Sequence, residues 1–219
     1  MPEGLAAPTK LVLVRHGQGT CNVNGVIGGP SGCSGLTGEG RAQAEELGLR
    51  LRRSGELGTV GSLYASTLPR AIETAEILAP MLGVRRDDAL LEVRTDCDLC
   101  ELHPGEADAL TWEEFAVKFP VPDWDTDPTQ PIAPGGESWT EFVDRATAGV
   151  TRVAECHAGE TTVVVCHAGV IEATMLRFMP VAPNRPRLGL RTRHASMTVW
   201  ERQGQGQGWT LGAYNDIPR

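Results

Sequence analysis

The sequence predicts an α/β fold, a three-layer α/β/α sandwich built around a largely parallel sheet. Short apolar runs recur at residues 11–14, 60–65 and 161–166, as is typical of strands that are buried on both faces of a parallel sheet. Stretches with apolar residues at helical spacing separate these runs. Capping residues and glycines mark where the helices begin and end.

The composition is that of an ordinary soluble protein, with 41% hydrophobic and 22% charged residues among 219. The net charge of −8 argues against nucleic acid or an anionic membrane as a partner, because both attract basic surfaces. No stretch approaches the roughly 20 apolar residues of a membrane helix, and the start resembles no signal peptide. We therefore expect a cytoplasmic protein with reduced cysteines, a flexible N-terminus at 1–9 and a single domain at 10–219.

The first predicted strand, residues 11–14, leads directly into Arg15, His16 and Gly17. Open α/β sheets bind ligands beyond the carboxyl ends of their strands, so this cation and imidazole are candidates for a site. Gly17 also opens a loop to Gly35 that contains seven glycines and whose backbone amides could point at an anion. The loop matches no nucleotide-binding fingerprint, and a mobile surface loop is the alternative interpretation.

A helix is predicted from Thr37 to about Arg53, followed by the strand at 60–65 and a helix that runs to about Leu82. Arg70 lies in the first turn of this second helix, where the helix macrodipole disfavours a cation. Its position is explained if it and the helix N-terminus both face a bound phosphate. A solvent-exposed arginine is the alternative.

A third strand is predicted at Ala89–Val93, and an acidic loop that also holds two thiols and an imidazole follows it. A zinc site at Cys97, Cys100 and His103 is one interpretation, but no second pair of ligands has the spacing to complete it. A carboxylate that acts as a general acid is the preferred interpretation, and a solvated acidic loop is the alternative. We therefore predict no metal.

A short helix from about Thr111 to Lys118 leads into a connector at 120–134 that is rich in proline and aspartate. The connector is long enough to form a lid or rim over a site. A long helix then runs to about Cys156. Its apolar stripe is predicted to be core rather than a binding surface, and comprises Trp139, Phe142, Val143, Ala146, Val150 and Val153.

The clearest strand, at 161–166, ends in His167 and repeats the layout of the first strand. A helix at about 170–178 follows it. Four arginines then precede a last hairpin at 195–200 and 209–213, and we interpret them as a solvated basic face: Arg185, Arg187, Arg191 and Arg193.

Three strand ends thus bring together two arginines and two histidines, with a carboxylate nearby: Arg15, Arg70, His16, His167 and Glu101. This set suits transfer of a phosphoryl group through a covalent phosphohistidine, because imidazole acts as a nucleophile in covalent catalysis. In phosphoryl transfer the protein mainly positions the group and neutralises its oxygens. Bidentate guanidinium groups do this well.

The chain resembles the histidine phosphatase superfamily, the phosphoglycerate mutase-like proteins, over nearly its whole length. Five motifs occur in family order: Arg15-His16-Gly17 with Asn22; Ser66, Arg70, Ala71, Thr74 and Ala75; Leu99, Glu101 and Gly105; Gly135-Gly136-Glu137-Ser138; and His167-Ala168-Gly169. Arg-His-Gly alone is a weak signal, whereas five motifs in order are a specific one.

The resemblance implies that His16 is the nucleophile and that the phosphoryl group is held by Arg15, Asn22, Arg70 and His167. It also implies a phosphoglycerate mutase-like fold, a small phosphorylated metabolite as substrate, and no cofactor.

The resemblance further implies that Glu101 protonates the leaving alcohol and then deprotonates the attacking water. Glu92 and Glu106 are the local alternatives, and only the motif register excludes them.

The departures from the family pattern fall around the motifs rather than on the implied catalytic residues. They are Gly19 for Thr or Ser, Cys33 and Gly35 for Asp and Pro, Ala107 and Ala109 for Trp and Gly, and His194 for Asn. The substrate-contacting rim is expected to involve Gly28, Gly29, the 120–134 connector and the arginines near 187.

Hydrolysis of a small phosphate monoester is preferred over mutase activity, because mutases resemble one another in carrying an arginine directly after the acid. Leu102 holds that position here. A non-catalytic phosphate-binding protein on the same scaffold is the second alternative. Sheets of this kind often pair through hydrophobic edges, so a homodimer is also considered.

Overall fold

The central feature of the fold is a six-stranded sheet with the strand order β3-β2-β4-β1-β5-β6. The structure is a computed structural model that describes residues 7–83, 91–179, 186–204 and 206–218. The strands are β1 (Thr9–Arg15), β2 (Val60–Ser66), β3 (Val93–Asp96), β4 (Thr161–Cys166), β5 (Met197–Arg202) and β6 (Thr210–Asp216). β1 to β4 run parallel, and β5 and β6 add two antiparallel strands at one side.

Helices cover both faces of this sheet. They are α1 (Thr20–Asn24), α2 (Gly38–Ser54), α3 (Pro69–Leu78), α4 (Trp112–Lys118), α5 (Trp139–Cys156) and α6 (Ala168–Phe178). Short 3₁₀ turns lie at Ala79–Met81, Cys97–Leu99 and Gly105–Ala107. The predicted three-layer sandwich with a largely parallel sheet is confirmed.

The alternation of side chains along β1 explains the two cores. Leu11 and Leu13 pack into a cluster with α5 and α6, whereas Val12 and Val14 pack into a cluster with α2 and α3. All four side chains are fully buried, because successive residues of a strand point to opposite faces of a sheet that is covered on both sides. The continuous apolar run therefore serves two cores at once.

Several element boundaries differ from the predicted ones. The third strand is β3 at Val93–Asp96 rather than Ala89–Val93, and residues 84–90 lie outside the described part of the chain. β3 is an edge strand, so polar residues suit it and the apolar pattern that predicts buried strands misplaces it. α3 ends at Leu78 rather than Leu82, since Pro80 lacks the N–H that would continue the helix.

The loop that follows β1 is also more ordered than a purely glycine-rich segment. It contains α1, a five-residue helix that ends at Gly25 with a left-handed φ of 65°. β1 itself begins at Thr9, so part of the segment predicted as a flexible N-terminus belongs to the sheet. Residues 1–6 lie outside the described part. Among the described residues, no helix has the length and hydrophobicity needed to cross a membrane.

Ala109 occupies a position at which the family that the sequence resembles commonly has glycine. The backbone conformation of Ala109 explains that preference for glycine. Its φ is 69°, a left-handed conformation that costs roughly 1–2 kcal/mol for a residue with a Cβ. We expect Ala109→Gly to raise the free energy of unfolding by about 0.5–1 kcal/mol, measured by urea denaturation. The matched control, Ala107→Gly, should destabilise, because Ala107 is buried and has no left-handed φ. A loss of stability in Ala109→Gly would contradict this account.

Candidate active site

The two histidines meet because their strands are neighbours. β1 and β4 pair in parallel with Arg15 opposite Cys166, and His16 and His167 are the next residues of the two strands. Their ring centroids lie 5.0 Å apart, and both side chains are buried. The two strand ends that resemble each other in the sequence therefore lie side by side, at the carboxyl ends of two neighbouring parallel strands.

The hydrogen bonds of His16 fix its tautomer. Nδ1 lies 2.6 Å from the carbonyl oxygen of Gly17, which can only accept, so Nδ1 carries the proton. Nε2 accepts a hydrogen bond of 3.1 Å from Nε of Arg70, so its lone pair points toward the arginine. Nε2 is thus the unprotonated nitrogen of this ring.

Arg70 lies between the two histidines at the start of α3. Besides its bond to His16, it donates from Nη1 to the carbonyl oxygen of Gly28 at 2.8 Å and from Nη2 to Nδ1 of His167 at 3.2 Å. The guanidinium is buried. Arg70 therefore lies in the first turn of α3 because it forms specific contacts within the site, and not because it is exposed to solvent.

His167 has the opposite tautomer. An arginine can only donate, so Nδ1 of His167 accepts from Arg70 and the proton resides on Nε2. Nε2 donates to Oγ of Ser66 at 2.8 Å. Ser66 in turn donates to the sulfur of Cys100 at 3.2 Å. A chain of hydrogen bonds through Ser66 and Cys100 thus orients the imidazole of His167.

Both imidazoles are held in the neutral form. Burial lowers the pKa of His16 well below its usual value, and the charges of Arg70 and Arg15 lower it further. The pKa of His167 is lowered well below its usual value by burial, Arg70 and His16. At neutral pH Nε2 of His16 is therefore unprotonated. A bound phosphate would add negative charge and raise both pKa values.

Arg15 and Asn22 complete the predicted phosphate-binding set on the β1 side. Arg15 donates from Nη1 to the carbonyl oxygen of Thr192, while its buried Nε has no hydrogen-bond partner in the described structure. Asn22 accepts from the amide of Gly19 through Oδ1 at 3.0 Å, which leaves its amide nitrogen as the group able to donate. Both residues line the same cavity as His16 and Arg70.

Glu101 faces this cluster from the wall formed by the loop after β3. Its Oε2 accepts from the amide of Gly169 at 3.2 Å. Burial raises the pKa of the carboxyl, although the Gly169 amide and the two arginines oppose that rise. A Cβ on Gly169 would lie 2.2 Å from Oε1 of Glu101, so glycine at this position is what lets the carboxylate sit here.

Glu92 and Glu106 do not line the cavity that holds His16 and Glu101. Glu92 is exposed, and Glu106 lies 3.7 Å from Nζ of Lys118 on the surface. Neither carboxylate is therefore in a position to serve as the acid.

The glycine-rich loop does not present free amides in the way the sequence suggests. The amide of Gly17 donates to Thr74, that of Gln18 to Gln43, and that of Gly19 to Asn22. Gly17 is needed for a different reason, because a Cβ there would lie 2.3 Å from the backbone oxygen of Gly40. This expectation about free amides beside His16 is wrong, and the positive charge of the site comes from its arginines.

These side chains lie in a cavity of about 440 Å³. Gly28 and Gly29 line it, as the rim prediction has it, and Gly28 also holds Arg70 through its carbonyl. The outer wall is aromatic and aliphatic and carries one arginine: Trp112, Trp124, Trp139, Ile27, Ile132, Leu190 and Arg187. Trp124 and Ile132 come from the 120–134 connector, which thus forms part of the rim.

The family follows from the comparison with known sequences. The model of the histidine phosphatase superfamily, branch 1, matches residues 11–217. The chain belongs to the histidine phosphatase superfamily.

Known members show the same relationship over whole chains. Phosphoglycerate mutase-like protein 4 of Arabidopsis thaliana is 33% identical over 95% of this chain and 85% of its own length. A metal-independent phosphoserine phosphatase of the same plant is 32% identical over 95% and 82%. Among solved structures, a mycobacterial glucosyl-3-phosphoglycerate phosphatase in complex with VO₃ is 30% identical, with a TM-score of 0.73 over 95% of this chain and 99% of that one.

In this superfamily member, a half-buried ion pair that the sequence does not reveal fixes the loop bearing Glu101. Arg145 pairs with Glu137 through Nε and Nη2, at 2.7 and 2.8 Å. The same guanidinium donates to the backbone oxygens of Cys97, Asp98, Cys100 and Glu101. Glu137 lies just before α5, and Arg145 lies in the second turn of that helix.

His194 is a second residue of the site that sequence reasoning treats only as a departure from the family pattern. Its ring centroid lies 5.6 Å from that of His16, and its buried Nε2 lacks a hydrogen-bond partner within the described residues. Burial together with Arg15 and Arg70 lowers the pKa of His194 to about 4. It is therefore a neutral neighbour of His16 at physiological pH.

Trp139 and Arg187 each have a role beyond the core stripe and the solvated basic face to which the sequence assigns them. Trp139 belongs to the core, as expected, but it also lines the cavity. Arg187 is not merely part of a solvated basic face, since its guanidinium carbon lies 5.7 Å from the ring centroid of Trp124 and 5.3 Å from that of Trp139. Arg187, Arg191 and Arg193 are all exposed, and Arg185 lies outside the described residues.

The described residues contain one group of side chains with the donor types and spacing of a metal site, Cys97, Cys100 and His103. None of the three lines the cavity that holds His16.

Proposed function

We propose that this protein is a phosphatase that hydrolyses a small-molecule phosphate monoester through a covalent phosphohistidine at His16, with Glu101 as general acid and base. The observation that carries the proposal is the tautomer of His16. Nδ1 keeps its proton and donates a hydrogen bond to the carbonyl oxygen of Gly17, and the lone pair of Nε2 is directed at Arg70, the centre of the cationic cluster. The nucleophilic nitrogen thus lies next to the cation that stabilises the charge of the transferred phosphoryl group.

In the first step, the lone pair of His16 Nε2 forms a bond to phosphorus while the bond from phosphorus to the ester oxygen breaks. The departing oxygen takes the proton of Glu101 and leaves as an alcohol. The raised pKa of Glu101 favours the protonated form that this step needs.

In the second step, the Glu101 carboxylate accepts a proton from water as the water oxygen bonds to phosphorus. The bond from phosphorus to Nε2 breaks and returns its electron pair to His16. Inorganic phosphate leaves, and Glu101 is again protonated. The two steps consume one ester and one water and restore every residue of the site.

Two arginines neutralise the charge of the transferred group. Arg70 must exchange its bonds to His16 and His167 for phosphate oxygens, and the unpartnered Nε of Arg15 supplies a further donor. Asn22 offers its amide nitrogen, and Nδ1 of His167 becomes a donor once a bound phosphate has raised the pKa of this ring and Arg70 has released that nitrogen. Together these residues bind the equatorial oxygens that bear charge in the transition state.

The outer cavity supports a proposal about the substrate. Its aromatic and aliphatic wall suits a leaving group with an apolar face, and Arg187 over the rings of Trp124 and Trp139 suits a second anionic group such as a carboxylate. We propose a phosphorylated small metabolite that carries such a group.

Hydrolysis is favoured over mutase-type transfer because Leu102, which follows Glu101, is an apolar residue of the cavity wall. A mutase would need the departing alcohol, or its product, to be retained and rephosphorylated. Adding an excess of a second alcohol to the assay separates the two. A phosphatase releases inorganic phosphate in step with the alcohol, whereas a mutase returns a phosphate ester.

The proposal is tested by turnover of p-nitrophenyl phosphate. We expect His16→Ala to lose activity by at least about 10³-fold, as removal of a catalytic nucleophile does. The matched control is His157→Ala, which removes a histidine bonded to Tyr64 outside the cavity, and it should retain wild-type turnover. Equal turnover by wild type and His16→Ala would refute the proposed chemistry, whereas no turnover by the wild type would leave the non-catalytic alternative.

Arg187 gives a separate prediction about the leaving group. We expect Arg187→Ala to raise KM about fivefold to tenfold for phosphate esters whose alcohol carries a carboxylate, and to leave p-nitrophenyl phosphate unchanged. Steady-state kinetics on both substrates measure the difference. Arg193→Ala, an exposed arginine that does not line the cavity, is the control. A uniform change on both substrates would contradict a role in recognising the leaving group.

A homodimer and a cytoplasmic location also remain proposals. The homodimer rests on β6 as the last strand of the sheet, and light scattering of the purified protein tests it. The location rests on the composition and on the six cysteines, which are all free.

A further inference from the structure

Three side chains outside the catalytic cavity have the chemistry of a metal site. Cys97, Cys100 and His103 follow β3 in the spacing Cys-x-x-Cys-x-x-His, and their two sulfurs and one ring nitrogen all lie within 4.8 Å of one another. Cys100 is buried, Cys97 is exposed and His103 is half-buried. The spacing alone predicts no metal, because a second pair of ligands is lacking, but from this arrangement we infer that Cys97, Cys100 and His103 bind a zinc-type divalent cation.

The distances within the group fit tetrahedral coordination. The sulfur of Cys97 lies 3.5 Å from Nε2 of His103. Zinc binds sulfur at about 2.3 Å and imidazole nitrogen at about 2.0–2.1 Å, so two such ligands in a tetrahedral site stand about 3.5 Å apart. One edge of the coordination tetrahedron is therefore already formed before a cation binds.

The imidazole is turned as metal-bound histidines usually are. While Nε2 of His103 faces the sulfur of Cys97, Nδ1 lies 3.6 Å from Oε1 of Glu137. A carboxylate next to the second nitrogen is the partner that commonly orients the ring of a metal-bound histidine. Glu137 is itself held by Arg145, so the carboxylate is a fixed part of the fold.

The buried sulfur is also supported by its neighbours. Oγ of Ser66 donates to the sulfur of Cys100 at 3.2 Å, and Oγ1 of Thr67 lies 3.0 Å from it. Hydrogen bonds of this kind stabilise a ligating thiolate and hold its direction. Two thiolates would balance the charge of a divalent cation.

The group supplies three protein ligands, which leaves the fourth position to water or another small ligand. The exposure of Cys97 and the partial exposure of His103 give that position access to solvent. Soft thiolate and imidazole donors favour zinc over magnesium or calcium, which prefer oxygen ligands. This is the chemical class of cation we assign.

Binding of a cation at this site would affect the active site, because the ligands flank the proposed acid, Glu101. Glu101 lies between Cys100 and His103 in the chain, so a cation that joins them closes the loop around it. In addition, Ser66 contacts both Cys100 and His167. The cation site and the catalytic site thus share a wall.

The test is cobalt and zinc titration of the full-length protein after chelator treatment under a non-thiol reductant. We expect one Co²⁺ per chain with thiolate-to-cobalt charge-transfer bands and tetrahedral visible bands, and displacement of both by Zn²⁺. Cys97→Ser and His103→Ala should each weaken Zn²⁺ binding at least tenfold in a chelator competition. Both positions are accessible to solvent, and thermal unfolding checks that the variants fold.

Two control variants separate this site from other thiols. Cys156→Ser removes another exposed cysteine, and Cys33→Ser removes a cysteine of the glycine-rich loop; both should bind zinc as the wild type does. The inference is overturned if the reduced protein binds no cobalt, or if Cys97→Ser and His103→Ala bind it normally. It is equally overturned if the bands vanish in Cys33→Ser, or if Cys97 and Cys100 only form a disulfide and never bind the cation.

Discussion

Replacement of Arg70 by lysine is expected to lower kcat/KM by about 10³-fold while the protein stays folded. The guanidinium uses three nitrogens for three different partners, His16, Gly28 and His167. A lysine keeps the charge but offers one flexible ammonium group, which cannot replace a planar fork that binds phosphate oxygens in a fixed direction. Losses of this size follow removal of one well-placed donor to a transition state.

The measurement is steady-state hydrolysis of p-nitrophenyl phosphate, with circular dichroism and thermal unfolding to check the fold. Arg53→Lys, an exposed arginine in the last turn of α2, is the matched control and should behave as the wild type does. If Arg70→Lys retained activity within a few-fold of wild type, charge alone would suffice. The geometric role assigned to Arg70 would then be incorrect.

Replacement of Glu101 by glutamine is expected to separate the two chemical steps. The nitrophenolate leaving group needs no proton, so phosphorylation of His16 should proceed at a near wild-type rate. Hydrolysis of the phosphohistidine needs a base, so it should slow by about 10²–10⁴-fold. Stopped-flow measurement should therefore show a burst of one nitrophenol per active site followed by slow turnover. With an alkyl phosphate, whose leaving group must be protonated, the burst should disappear.

The same carboxyl sets the alkaline limb of the pH profile. Burial raises the pKa of Glu101 above its usual value, so with alkyl phosphates kcat/KM should fall as pH rises through that raised pKa. His16 should not set an acid limb near its usual pKa, because its own pKa is lowered well below that value. Glu106→Gln is the control, and a burst in that variant instead of in Glu101→Gln would move the acid to Glu106.

The sequence predicts the centre of the site well because that centre is built by regular elements. A buried parallel strand must end at the sheet edge, so residues that directly follow β1 and β4 are brought together whatever the loops do. The same reasoning places Arg70 correctly, since it starts the helix after β2, and β2 is the other neighbour of β4. Periodicity and capping are local signals, and they suffice to predict which residues follow the strands and begin the helices.

What the sequence could not predict depends on contacts between distant residues. The amides after β1 are taken by side chains from three separate helices, Asn22, Gln43 and Thr74, and the last two are distant in the chain. The pairing of Glu137 with Arg145 and the position of His194 beside His16 likewise follow from packing. No periodic pattern signals such contacts.

The rim illustrates a different limit. Trp139 fits the apolar stripe of α5, and the pattern rightly assigns it to the core. The stripe cannot show that the first turn of the helix reaches the cavity, nor that Arg187 lies over the exposed edge of that core. A residue can satisfy a core pattern and line a binding site at once, because the cavity opens onto the core.

The most direct test of the account is to trap the covalent intermediate on Glu101→Gln. The variant is mixed with p-nitrophenyl phosphate, quenched within the burst and digested, and the peptides are analysed by mass spectrometry. The account predicts one phosphoryl group per chain on the peptide that contains His16, and none in the Glu101→Gln, His16→Ala double variant. A phosphoryl group on another residue, or release of phosphate with no phosphorylated peptide at any time, would contradict it.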